Sequence, residues 1–256
     1  MGFKTHVILE VDSRERTSGT AGDFHIVLNH TIDLNRKRQY FCRLENIKLP
    51  TSFYNIHSLN NTFKVIEDPA GTPDPISITI PEGNYTESEL RSTVAALLNA
   101  ATLNVNTYAI TFDTITGKMT ITSDTTEFLV NSITNGSTAN RLFGFVDSQY
   151  TSVSRVLTSV SHVELSARRF LTIHTNLGSN NLYSKQHLKN IGTQIPITVG
   201  RSSIQFTDNH NGVMVKLESR HNIKDIQFSV RDSANTIVDF NGVDWSAEFV
   251  LYEFRD

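Results

Sequence analysis

The chain has 256 residues, 38% apolar and 19% charged, against roughly 45–50% and about 25% in average globular proteins. Neutral polar residues make up the difference, with 29 Thr, 24 Ser and 22 Asn; that mixture suits pleated strands and turns and excludes a coiled coil or helical bundle. A net charge of −3, one cysteine (Cys42) and no long apolar run imply no basic field for nucleic acid, no internal disulfide and no membrane-spanning helix.

In chain order, period-two alternation predicts strands at Val7–Val11, at Phe24–Leu28 and over a longer stretch at 39–49. In that long strand Phe41, Ile47 and Leu49 share one parity, while Cys42 and Leu44 share the other. Shorter strands are expected at 62–66, 76–80, 108–113, 118–123 and 127–130. The pattern resumes at 163–175, 203–207, 213–218, 225–231, 236–240 and 247–254. One helix interrupts it. Thr86-Glu87-Ser88-Glu89 reads as a capping box, and Leu90, Val94, Leu97, Leu98 and Ala101 follow at helical spacing.

Turn chemistry agrees with this reading. Asn211-Gly212 and Asn241-Gly242 suit hairpins of type I′, because Asn-Gly tolerates positive φ at both central positions. Asp113–Gly117 and Asp232–Asn235 are expected to close two more hairpins. Three of six prolines fall within Asp68–Pro75, which reads as a boundary or a stiff loop. The expected organisation is a discontinuous β domain, 1–75 with 147–256, carrying an inserted strand–helix–hairpin unit at 76–146.

Catalytic patterns are missing. The nine histidines include no HExxH and no helical i, i+4 pair. There is no GxSxG elbow, P-loop or GxGxxG. Most acids sit at turn positions, where an Asx side chain caps backbone amides. The chain is therefore expected not to be an enzyme, and no cofactor or metal is implied. The N-terminus lacks an apolar signal core, so synthesis in a cytosol is expected. The candidate interface residues are cationic or amphipathic. Arg168 and Arg169 suit bidentate pairing across a subunit contact. Arg36, Lys37 and Arg38 form a cationic run between strands. Tyr54, with Phe53 and Ile56, either meets a wet interface or plugs the end of the β domain.

Several segments stand in a fixed order: Val11-Asp12-Ser13-Arg14-Glu15-Arg16, Asp23–Leu28, the strand closing in Leu44-Glu45-Asn46-Ile47-Lys48-Leu49-Pro50, Tyr54-Asn55-Ile56, Ile80–Thr86 before the helix, and Leu142-Phe143-Gly144-Phe145. In that order they resemble the minor capsid, or penton, proteins of virophages and polinton-like viruses. The resemblance covers about residues 10–150. It implies a mainly β protein: a single jelly-roll sandwich of antiparallel strands with an inserted small α+β unit. It also implies a pentameric vertex subunit of an icosahedral virion capsid, made in a host cytoplasm and touching the major capsid protein. The alternative is a receptor- or carbohydrate-binding β module, which polar loops favour and a single Trp disfavours.

Overall fold

The computed structural model describes residues 2–35, 37–70, 74–103, 106–131, 136–146, 148–165, 168–177, 189–209, 212–217 and 222–255. Alternating apolar residues give the early strands β1 (Gly2–Asp12), β2 (Ser18–Thr20), β3 (Asp23–Asp33) and β4 (Gln39–Pro50). The middle of the chain forms β5 (Thr62–Glu67), β6 (Asp74–Thr79), the helix α1 (Glu87–Ala101), β7 (Tyr108–Phe112), β8 (Met119–Ser123), β9 (Phe128–Asn131), β10 (Gln149–Thr151) and β11 (Val156–Thr158). The last third supplies β12 (Phe170–Thr175), β13 (Lys189–Pro196), β14 (Ile204–Asp208), β15 (Val215–Lys216), β16 (Asn222–Arg231) and β17 (Ser246–Arg255).

The chain divides into two compact units, 1–53 with 168–256, and 54–167. In the first, one sheet runs β1-β17-β4-β14, with β15 also on β4, and the other runs β13-β12-β16-β3-β2. Number the long strands one to eight in chain order (β1, β3, β4, β12, β13, β14 with β15, β16, β17). The first sheet then holds the first, eighth, third and sixth, and the second holds the fifth, fourth, seventh and second. That is the jelly-roll order, and every pairing is antiparallel.

Apolar residues from both sheets meet in one core. Leu9, Val11, Leu44, Ile47, Leu49, Phe249 and Leu251 come from the first sheet, and Phe24, Leu171, Ile173, Ile226, Phe228 and Val230 from the second. Phe228 stacks on Phe249 across the sandwich at 5.3 Å between ring centres. Trp245 closes one side of this cluster, its indole N–H donating to the Ala21 carbonyl at 2.6 Å.

The parity conflict in the long strand is resolved by a bulge. Glu248 pairs with Asn46 and Phe249 with Leu44, so the register with β17 skips Glu45. The extra residue turns Cys42 and Leu44 to the same face as Ile47 and Leu49, and all four are buried. Burial also pushes the Cys42 thiol up to about 12, which keeps it protonated and inert.

The second unit has a four-stranded sheet, β10-β9-β5-β6, a three-stranded sheet, β11-β8-β7, and α1. Leu90, Val94 and Leu98 of the helix join Phe63, Ile78, Ile110, Ile121 and Phe143 in a separate core. The capping box forms as read. The Thr86 hydroxyl accepts from the Glu89 amide at 3.3 Å, and the Glu89 carboxylate accepts from the Thr86 amide at 2.7 Å. A buried carboxylate, Glu67, accepts from the Thr102 hydroxyl (2.7 Å), the Leu103 amide (3.1 Å), the Asn106 amide group (2.7 Å) and the Tyr108 hydroxyl (2.8 Å).

Several expectations change. The inserted unit is expected at 76–146, but the compact unit spans 54–167. Of the two readings of the proline-rich stretch, the loop holds and the boundary does not: it joins β5 to β6, two paired strands of that one unit. The strand expected at 163–175 is divided: Val163 and Leu165 pack on the second core, and Phe170–Thr175 form β12 of the first. Of the Asn211-Gly212 turn, Asn211 lies outside the described residues. The strands beside it, β14 and β15, do not pair with each other; both pair with β4 in succession. At Asn241-Gly242 both residues have positive φ and the Val243 amide donates to the Phe240 carbonyl, as a type I′ turn requires. Residues 236–240, however, form only an isolated bridge, between Ile237 and Arg231.

Candidate assembly surface

The outer face of the first sheet is built by residues that alternate with its core. Opposite the inward Leu251, the strand β17 presents Tyr252 and Phe254. Phe3 on β1 packs edge-on against Phe41 at 5.2 Å, Phe254 at 5.2 Å and Tyr252 at 6.4 Å. Phe3 itself is 48% exposed, so this aromatic cluster opens to solvent. Beside it the bulge turns Glu45 into a polar clamp. Its carboxylate accepts from the Arg43 Nε and the Tyr252 hydroxyl, each at 2.7 Å, and the Arg43 guanidinium lies 5.1 Å over the Tyr252 ring. Burial, and after it the bond to Glu45, raises the Tyr252 phenol, which holds it in the donor form.

At the β1 flank Glu10 stands directly opposite Glu248, and Ile8 is 58% exposed. Like charges in a cross-strand pair are unfavourable. At the β14 flank Lys48 stands opposite Phe206, and Phe206 and Ile204 are 54% and 67% exposed. On the β1 side, among the described residues, β2 pairs with β3 only at residues 23–25. A cleft of about 330 Å³ there is lined by Leu9, Val11, Ile26, Leu28 and Phe228, with Glu10 and Glu15 among the polar residues beside them.

The residues singled out from sequence are not gathered at one place. Arg168 is buried, its Nε 3.4 Å from the Asp232 carboxylate and its guanidinium 5.2 Å over the Phe53 ring. Burial lowers its pKa, and Asp232 works against that shift. Arg169 next to it is exposed, and its carbonyl accepts from the Ile197 amide. Lys37 and Arg38 are exposed on a turn organised by Asn35, which accepts both of their amides at 3.0 Å, and Arg38 is ion-paired with Glu253. Arg36 lies outside the described residues. Tyr54 is half-buried, in the second unit.

Sequence reasoning missed the aromatic cluster and the two flanks. A signal was present in 39–49 and 247–254, where large apolar residues occupy both parities. One parity fills the core, and the other is then left for the outer face. Among the described residues, no three His, Cys, Asp or Glu side chains converge as a metal site. Also among them, no helix is long and apolar enough to cross a membrane.

No protein-family model matches the chain. No curated protein matches it either. Among solved structures, two of the Escherichia coli flagellar cap protein FliD align at 14% and 13% identity over 98% of this chain, covering 100% and 55% of theirs. Their TM-score of 0.18 supports no common fold. The crystal structure of the mavirus penton protein aligns at 12% identity with a TM-score of 0.53, covering 99% of this chain and 100% of that one. In fold, and along nearly its whole length, this chain is similar to a virophage penton protein.

Proposed function

We propose that this chain is a structural vertex protein of an icosahedral virion capsid, assembling as a homopentamer and contacting the neighbouring major capsid protein. The observation that carries the reading is the likeness to a penton protein over 99% of the chain, which takes in both compact units and not the sandwich alone. The sandwich itself exposes apolar and charged side chains on one sheet and along both of its flanks, as self-associating surfaces do. Its work is then burial of surface between identical neighbours, not chemistry on a substrate. Arg169, Lys37 and Arg38, which stand exposed, and Tyr54 are assigned to contacts with neighbouring subunits.

Light scattering behind size exclusion, with electron microscopy of the same fractions, tests the reading. Rings with five-fold symmetry and about five times the 28.7 kDa subunit mass are expected. A protein that stays monomeric, both alone and in assembled particles, would overturn it.

A further inference from the structure

A charge that leaves water on folding is normally paired, because an isolated ion loses its hydration for nothing. Arg231, at the end of β16, departs from that rule. It is only 7% exposed, its Nη1 donates to the Asn235 carbonyl at 2.9 Å, and its Nε has no hydrogen-bond partner. Among the described residues no carboxylate is ion-paired with it, and the acids nearest along the sheet are engaged elsewhere. Asp232 lies 3.4 Å from the Arg168 Nε and accepts from the Ala234 and Thr236 amides at 3.0 and 2.9 Å. Asp23 accepts from the Gln227 side-chain amide at 3.2 Å.

We propose that Arg231, Ser229, Thr172 and His174 form an oxyanion site on the outer face of the second sheet, taking a phosphate or a carboxylate. A second observation, independent of Arg231, singles out the same place. Ser229 is wholly buried, and its hydroxyl has no hydrogen-bond partner among the described residues. Phe228 and Val230 fill the core, so Ser229 and Arg231 share the other face of β16. β12 completes the block, with Thr172 directly opposite Arg231 and His174 directly opposite Ser229.

The four groups are close enough to act on one ligand. Opposed side chains in a sheet start about 5 Å apart, and same-face neighbours along a strand about 7 Å apart. The Thr172 hydroxyl lies 3.0 Å from the His174 Nε2. Burial, and after it the charge of Arg231, lowers the pKa of His174, so the guanidinium field reaches the ring. The chemistry suits an anion. The Nε edge of a guanidinium is a planar donor matched to carboxylate or phosphate oxygens, and the Ser229 hydroxyl adds another donor. One oxyanion would satisfy both orphaned donors. The block reaches the surface at His174, which is half-buried. None of this depends on the ring-forming reading.

Melting temperatures in sodium phosphate and in sodium chloride of equal ionic strength test the site, for the parent, Arg231→Met and Ser229→Ala. The parent should gain stability with phosphate, as a ligand bound only by the folded form requires. Arg231→Met keeps the apolar stem and deletes the charge, and should show no gain. Ser229→Ala should bind phosphate about tenfold more weakly. At constant pH, phosphate should also shift the His174 ring resonances of the parent, which places the anion in this block. An equal gain in the parent and in Arg231→Met overturns the site. Should Arg231→Met fail to fold, a Ser229→Ala affinity equal to the parent's overturns it instead. If phosphate has no effect, a melting temperature that climbs with protein concentration in the parent, and not in Arg231→Met, gives the place to a carboxylate of a neighbouring molecule and upholds the site. No response to either overturns it.

Discussion

His174 shows how much one side chain's surroundings can be invisible along the chain. It lies on the outer face of the second sheet, opposite Ser229, while its neighbours Leu171 and Ile173 point into the core. Its Nε2 is 3.0 Å from the Thr172 hydroxyl. Burial, with Arg231 nearby, lowers its pKa from the ordinary value to about 4. The unfolded chain binds a proton there near pH 6.5, and the folded chain resists it until about pH 4. Stability is therefore complete above pH 6.5 and falls as the pH drops between those limits. In melting temperatures recorded from pH 7 to pH 4, His174→Gln should flatten the acid-side decline by a fraction of one proton, since the ring is partly exposed. An unchanged slope would contradict this. Nothing in the sequence marks His174 apart from the other eight histidines, because its burial depends on strands some 50 residues away.

At the scale of elements, local physics was legible and long-range pairing was not. The helix and its cap could be read because every determinant lies within sixteen residues, Thr86 through Ala101. Thr86→Ala removes the hydroxyl that satisfies the Glu89 amide and should cost about 1 kcal/mol in chemical denaturation of the second unit, as N-cap removal does elsewhere. Thr86→Ser should retain most of it. By contrast, the Asn211-Gly212 segment carries hairpin chemistry, yet its flanking strands follow one another along β4. The long β4 offers more partners than a two-residue turn can override. The strands β2, β10 and β11 went unread because three residues cannot establish a period.

Considered as a whole, the molecule has two separate apolar cores, one spanning the two sheets of the sandwich and one around α1. The two cores are expected to melt separately, and calorimetry should then give an enthalpy larger than the van't Hoff value. Phe143→Ala, which removes a buried ring of the second core, should cost about 3–5 kcal/mol and move one transition only. A single transition shifted as a unit would contradict that independence. The mainly β class and the presence of an inserted unit could be read from alternation, turns and one capped helix, while the jelly-roll sandwich came with the family resemblance. The limits of that unit could not, because residues such as Val163 and Leu165 alternate like strand residues whichever core they join.

The bulge at Glu45 has a consequence for which changes this sheet could survive. Exchanging its side chain would loosen a few contacts on the outer surface. Losing the residue altogether would restore strict alternation and turn Tyr40, Cys42 and Leu44 toward water, with Phe41 and Arg43 driven inward. A one-codon deletion in that stretch should thus be lethal to the barrel where many point changes are not. Within β4, chain length is under tighter constraint than amino-acid identity.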